Sequence, residues 1–369
     1  MAALFADIKT PYINEATLKR VMTKKVKENI FQNIFTKPNE AVTEKFSEDT
    51  DAAEIQVIRV KPKADGDARE IGSTVNGGWF NNKDASNPTT AAYGIKIVTT
   101  IDDLIDIPTN QQDMMNVDLA EAELGNLAGR VYRNVNALTF AAQIAKNLND
   151  YGETEGATAA NYWVTLGSTP DYLSAIIEAG AKLDDGNEAE GIDAYPDKFR
   201  AVFIRSDAKA ELLKKGQIII GGSDSAQRIL RGGGIDTDTR PEVATTGYLG
   251  EVDNMPVYMA SKATWALAER YLGKSAGYLD KVKMLVVSGI GTGRALAFNS
   301  AIQIGDCPLG QGRRIKPKYR MGAECWDAMS VVPVVASGTT LKTDFGITQK
   351  TSSAAASGLL TVTAPGSRA

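Results

Sequence analysis

Residues 240–260, RPEVATTGYLGEVDNMPVYMA, read as two short strands joined by a tight polar turn. Tyr248 and Leu249 lie between Gly247 and Gly250, and Val257 and Tyr258 follow Pro256. Residues 251–254 leave room only for a hairpin or a sharp corner, with Gly250 and Asn254 able to take positive φ at low cost. A lone hairpin fits many architectures. The elements on either side of it decide which one.

Working outward, residues 262–272 read as a helix and 282–287 as a strand. On the N-terminal side, Thr169-Pro170 opens a helix through Lys182, residues 199–204 form a strand, and Ser206 caps a helix ending at Lys215 before Gly216. Together these elements predict a compact α+β unit over 150–289. The longest helical signal precedes it. Thr109 and Gln112 form a capping box, and Val117, Leu124, Val131, Leu138 and Ala145 recur every seven residues beside Ala120, Leu127, Ala141 and Leu148. A helix over 111–149 would run about 58 Å at about 1.5 Å per residue. Gly125 and Gly129 each cost about 1 kcal/mol there, which points to a close backbone approach or a break into two segments. Asn134 on the seam and the many small residues favour a spine packed on a sheet over a coiled coil.

Further toward the N-terminus, EIQVIRV at 54–60 alternates with the period of a strand, and 93–101 reads as its return partner. Between them, residues 61–91 hold Gly66, Gly72, Gly77 and Gly78 but only Ile71, Val75, Trp79 and Phe80 as sizeable apolar groups. A two-stranded arm so poor in apolar side chains needs a surface to lie on, and that surface is expected on another subunit. The adjacent aromatics Trp79 and Phe80 are its natural anchors. Residues 14–31 form an amphipathic helix with Asn14 as N-cap and Leu18, Val21, Met22 and Ile30 near helical spacing. After 290, strands over 294–304 and 314–335 are expected to fold back against the long helix. The Ser-, Thr-, Ala- and Gly-rich stretch 336–369, with one apolar cluster at 359–362, reads as a flexible tail.

Composition removes whole function classes. The chain has 369 residues, 43% hydrophobic and 23% charged, long enough for two or three packed units. Its 45 acids against 41 bases give a formal charge of −4, without the basic footprint of a nucleic-acid reader. No apolar run approaches the roughly 20 residues of a membrane-spanning helix. Met1 is followed by Ala-Ala-Leu-Phe-Ala-Asp, which has neither the basic start nor the apolar core of a secretory signal. Histidine is absent, and with it go Ser-His-Asp and Cys-His nucleophile systems, His-ligated metals and the usual base near neutral pH. Cys307 and Cys325 read as two buried thiols, with a single disulfide as the alternative. No catalytic residue, cofactor site or metal site is expected.

Several motifs compete with that reading. Gly289-Ile290-Gly291-Thr292-Gly293-Arg294 follows the strand-like MLVVS and resembles a dinucleotide fingerprint, but Arg294 replaces the last small residue and a strand pattern follows. It carries the alternative of a cytosolic nucleotide-binding enzyme. Glycines at 221–222 and 232–234 flank Arg228 and Arg231, which with Arg240 could cradle an anion or line a contact between subunits; a mobile surface loop is the plainer reading. Asp102, Asp103 and Asp106 read as solvated capping groups. Asp344-Phe345-Gly346 lacks every other kinase element.

The order of parts resembles the major capsid proteins of tailed bacteriophages, with their Hong-Kong-type capsid fold. The phrase Gly-Tyr-Leu-Gly, a polar spacer and Pro-Val-Tyr is similar to a recurrent stretch of that family, and AFNSAIQIGDCPLGQGRRIKPKYRMGAECW is similar to its C-terminal strands. The resemblance implies an N-terminal arm at 1–53, an extended loop at 54–101, a peripheral domain with the spine helix at 102–149 and 290–335, an axial domain at 150–289, and a C-terminal tail at 336–369. The usual family ending lies near residue 335. It also implies a structural subunit without enzymatic turnover, found in the virion after assembly in the host cytoplasm. Its partners would be copies of itself in pentamers and hexamers, separate scaffolding, portal or decoration proteins, and packaged DNA held without sequence-specific binding; no membrane is involved. Trp79, Phe80, Arg228, Arg231 and Arg240 are the candidate inter-subunit contacts, and an encapsulin-like compartment shell is the nearest alternative.

Some members of that family carry a long scaffolding segment ahead of the arm, which a protease later removes. Residues 1–53 are few for that role, so scaffolding is expected from a separate protein or is dispensable, and the N-terminus is expected to remain as an interlocking arm. Deleting residues 64–88 is expected to leave a folded chain that no longer assembles. Normal shells from that deletion, seen by negative-stain microscopy, would refute the arm's role.

Overall fold

The computed structural model describes residues 45–47, 54–60, 90–96, 99–102, 105–108, 117–151, 162–187, 192, 194–214, 248–253, 255–298, 303–306, 312–316, 318–348 and 357–363. The expected helix at 14–31 lies outside them. In chain order the described strands are β1 (Lys45–Ser47), β2 (Glu54–Val60), β3 (Thr90–Lys96), β4 (Thr99–Asp102), β5 (Ile105–Pro108), β6 (Val164–Thr165), β7 (Arg200–Ile204), β8 (Tyr248–Val252), β9 (Met255–Met259), β10 (Val282–Ser288), β11 (Thr292–Phe298), β12 (Gln303–Asp306), β13 (Gly312–Lys316), β14 (Lys318–Cys325) and β15 (Val331–Val335). The helices are α1 (Val117–Tyr151), α2 (Tyr172–Asp184), α3 (Ser206–Lys214), α4 (Lys262–Tyr271) and α5 (Leu341–Phe345).

Helix α1 is one unbroken element of 35 residues, so Gly125 and Gly129 do not split it. It is described from Val117, and the expected start at 111 lies outside the described residues. EIQVIRV is a strand over the expected span, and it pairs antiparallel with β3 in full register from Glu54↔Lys96 to Val60↔Thr90. The return strand differs from expectation. It starts at Thr90, stops after Lys96 and resumes as β4, which belongs to another sheet and pairs with β14. The 248–259 hairpin forms as read; at its turn Asp253 takes a positive φ (49), Gly250 sits at a register shift in β8, and Asn254 lies outside the described residues.

A mixed six-stranded sheet of order β6-β15-β10-β7-β9-β8 organises the middle of the chain. Its inner strands are buried on both faces, which explains why their sequences are continuous apolar runs rather than alternating ones. Strand periodicity then divides the core in two. Ala201, Phe203, Leu285, Val287, Val331 and Val335 join the cluster containing α1 and α4. Val202, Ile204, Met284, Val286, Val332 and Val334 join the cluster containing α2 and α3. Helices α2 and α4 start at side-chain caps, Asp171 accepting from Ser174 N and Ser261 accepting from Thr264 N.

The strands after 290 do return to the long helix, through β11 and β14 in a four-stranded sheet of order β1-β11-β14-β4. One of them does more. Strand β15 also touches α1, yet it is hydrogen-bonded between β6 and β10 inside the six-stranded sheet. A boundary at 290 therefore does not follow sheet membership. Pro333 pairs opposite Leu285 of β10, and among the described residues β6 reaches only Val334 and Val335, so the proline falls where β15 has one described neighbour.

The expected flexible tail is also corrected. Residues 336–348 and 357–363 pack on the body, with Leu341, Phe345, Ile347 and Leu360 buried in the α1–α4 cluster. Gly346 at φ 67 ends α5 in the left-handed region, so the Asp-Phe-Gly triplet is a helix stop with a buried anchor. Composition hid this because Leu341, Phe345 and Ile347 stand singly among small and polar residues, and the 359–362 cluster is short.

Phe140 of α1 is 1% exposed, with ring centroids 5.0 Å from Phe203 of β7 and 5.3 Å from Trp265 of α4. Phe140→Ala is expected to cost about 3–5 kcal/mol in a urea unfolding titration, against under about 0.5 kcal/mol for a surface control such as Lys342→Ala.

Candidate functional site

The glycine-rich segment after β10 is the first place to look for chemistry. It forms a single 3-10 turn, Gly289–Gly291, and passes directly into strand β11. There is no helix N-terminus to face a pyrophosphate, and Gly289, Gly291, Thr292 and Arg294 are all buried. The space a phosphate would need is filled by the chain. Trp326 N donates to Gly291 O at 3.0 Å, and a Cβ on Gly291 would overlap Ser330 Oγ and lie 2.5 Å from Ser330 Cβ. Thr292 Oγ1 accepts from Gln143 Nε2 of α1 at 3.2 Å. These glycines admit a second 3-10 turn, Ala328–Ser330, and not a nucleotide; the nucleotide-enzyme reading is not favoured.

That second turn is part of a buried polar junction centred on Asp327, which is 2% exposed. Its Oδ1 accepts from Asn187 Nδ2 at 3.0 Å and from Met329 N at 3.1 Å, and its Oδ2 accepts from Tyr195 Oη at 2.6 Å. Its backbone oxygen accepts from Ser330 Oγ at 2.6 Å and Cys325 Sγ at 3.4 Å. Asn147 Nδ2 of α1 donates to the carbonyls of Ala328 and Val331, tying the helix to the same turn. Burial pushes the Tyr195 phenol far above its ordinary range, and the neighbouring Asp327 charge adds to it, so the hydroxyl stays a donor. Burial also pushes the Cys325 thiol up to about 12, which leaves it protonated and a poor nucleophile near neutral pH.

Other buried charges are spent in the same way. Arg200, 4% exposed, binds Asp184 at 2.6 Å, Asp197 at 3.3 Å and the Tyr195 carbonyl, which fixes the end of α2 to the start of β7. Glu269 of α4 accepts from Gly277 N at 3.0 Å and Leu279 N at 2.9 Å. Arg205 lies over the Trp265 ring at 4.8 Å and donates to Asp280 at 2.9 Å. The arrangement braces layers against one another; no nucleophile sits beside a base in it. Among the described residues no group of three or more acids and cysteines is placed to hold a metal, and no helix is long and apolar enough to cross a membrane.

Among the candidates read from sequence, Trp79, Phe80, Arg228, Arg231 and Arg240 lie outside the described residues, as do Cys307 and Asp103. Asp102 and Asp106 are strand residues, paired opposite Lys318 and Arg314. Sequence reasoning passed over Asp327, Tyr195 and Asn187. The signal for Asp327 was a lone acid between Trp326 and Ala328, just ahead of an apolar strand.

No family model and no curated relative matches the sequence. Solved structures do match. The capsid structure of cyanophage P-SCSP1u superposes with a TM-score of 0.50 at 12% identity, covering 84% of this chain and 89% of that chain. The chain has a phage capsid-protein fold. The capsid of Ralstonia phage GP4 gives 0.48 at 11% identity, covering 85% of this chain and 92% of that chain.

Gly291→Ala is expected to destabilise the capsid fold by about 1–3 kcal/mol through overpacking against Ser330. Adding Ser330→Gly should recover part of that loss in the urea midpoint, because it removes the obstructing side chain.

Proposed function

We propose that this chain is a major capsid protein, the repeated structural subunit that self-assembles into an icosahedral head shell around a phage genome. The observation that carries the proposal is the capsid fold, matched over 84% of the chain to the P-SCSP1u capsid structure. The order of elements supports it: a paired two-stranded arm, a 35-residue spine, a six-stranded α+β unit, and strands returning to the spine. In this reading residues 1–53 are the arm, 54–101 the extended loop, 102–149 with 290–335 the peripheral domain, 150–289 the axial domain and 336–369 a tail. Its mechanism is geometric, and its principal partner is itself.

The described body is consistent with that role. Its buried Arg200, Arg205, Glu269 and Asp327 serve internal bracing, and among the described residues only Ile177 and Leu359 are large apolar side chains left well exposed. Net charge of −4 suits a wall that encloses DNA without gripping it by sequence. The candidate contacts Trp79, Phe80, Arg228, Arg231 and Arg240 would then act between neighbouring copies, and the particle would form in the host cytoplasm.

Electron microscopy of the purified recombinant chain tests the proposal. Closed, uniform shells are the expected product, with or without an added scaffolding protein. Monodisperse small oligomers under all such conditions would overturn it, as would saturable nucleotide binding lost on replacing Gly291.

A further inference from the structure

Residues 336–348 leave β15, turn at Gly338 (φ 71) and form α5, and residues 357–363 lie over the end of α1. Apart from the isolated Thr348–Ser357 bridge, they add no strand to the four described sheets, which are complete without them. They nevertheless finish the core. Leu341, Phe345, Ile347 and Leu360 are 1–3% exposed, and Phe345 meets the rings of Trp163 at 6.3 Å and Tyr278 at 5.7 Å.

Among the described residues, polar contacts tie the segment to the body at a few places, among them the Lys281–Asp344 pair at 3.8 Å. Asn149, near the end of α1, donates from Nδ2 to Leu360 O at 2.8 Å and accepts at Oδ1 from Leu360 N at 2.8 Å. One side-chain amide thus reproduces the two-bond pattern of a paired strand. Thr363 N donates to Tyr271 O at 2.8 Å, and Tyr278 Oη donates to Phe345 O at 2.6 Å. Thr348 and Ser357 exchange both backbone hydrogen bonds, each at 2.9 Å, which closes the segment on itself. A Cβ on Gly358 would overlap Gly346 O, so the two ends of this closure touch backbone to backbone.

An element that completes a core without belonging to its sheets can come off while the sheets persist, as local opening units do. Undocking would uncover the end of α1, Trp163 and Tyr271 as one apolar face. We propose that residues 341–348 and 357–363 are a latch on the C-terminal end of α1: docked, they fix α1 to α4 in the assembly-competent form, and undocked, they expose an apolar face that withdraws the chain from shell formation. The consequence for assembly rests on the capsid-subunit reading; the latch itself does not.

The experiment uses the full chain and its Asn149→Ala variant, with Leu359→Ser as control. Leu359 is 46% exposed beside the buried anchor, so its replacement leaves the latch docked. Hydrogen–deuterium exchange is read over 357–363 and over β10 and β15, and particle yield is read by sedimentation. For Asn149→Ala, exchange over 357–363 should accelerate by about tenfold, from loss of two hydrogen bonds to one residue, while β10 and β15 keep their protection. Particle yield should fall with it, and Leu359→Ser should match the parent in both measurements. Acceleration of 357–363 in step with β10 and β15 would overturn the latch, since the segment would then be part of one cooperative core. Release of the segment with undiminished particle yield would overturn its role in assembly. If the parent chain forms no particles, the capsid reading fails, and the exchange comparison still decides the latch.

Discussion

Phe140 is where the layers of this fold meet. Its helix is buried on every side from Val135 to Ala145: Ala137, Leu138, Phe140, Ala141 and Ile144 are each 1% exposed or less. One side of the helix meets α4, another meets β14 and β11, and the six-stranded sheet closes the remainder through Phe203, Val331 and Val335. An all-round buried helix cannot shift for one neighbour without disturbing the others, because packed interiors respond to changes of a single methylene. The two sheets are fixed relative to one another through α1, and the polar contacts follow from that constraint.

Those polar contacts give the packing its register. A purely aliphatic helix surface tolerates small slides, but Gln143 on Thr292 and Asn147 on the 328–330 turn each demand a particular partner. Asn134 does the same on the other side, accepting from Tyr271 Oη at 2.8 Å. The residue that weakens a coiled-coil pattern in the sequence is the one that ties the spine to α4. Asp327 plays the corresponding part for the sheet, joining Tyr195 and Asn187 to the turn that enters β15.

What could be read from sequence was local and periodic. Strand 54–60 showed itself by near-alternation rich in β-branched residues, α1 by recurring apolar residues, and the 248–259 hairpin by its glycines and proline, because each signal fits inside a short window. The strand nature of the segment after 291 was also legible, since the glycines run into alternating residues rather than a helical pattern. Long-range facts left no such trace. Tyr195 and Asn187 lie 132 and 140 residues from Asp327, and no local pattern announces the meeting. Val331–Val335 reads as a buried strand anywhere, so its place between β6 and β10 was set by tertiary packing. The tail was misjudged on composition, because four well-placed apolar side chains weigh little in an average over thirty small and polar residues.

The pairing of Asn149 with Leu360 spans 211 residues, and Val282 meets Val335 across the centre of the large sheet. Closing contacts so distant requires the chain to give up loop entropy before any of the core repays it, which makes folding slow relative to helical proteins of similar size. During synthesis, β7 and α1 are made long before the strands and anchors that cover them. A ribosome-bound chain therefore carries an open apolar face until the strand at 331–335 and the anchors at 341–360 emerge, and its solubility in that interval depends on chaperones and on the speed of translation.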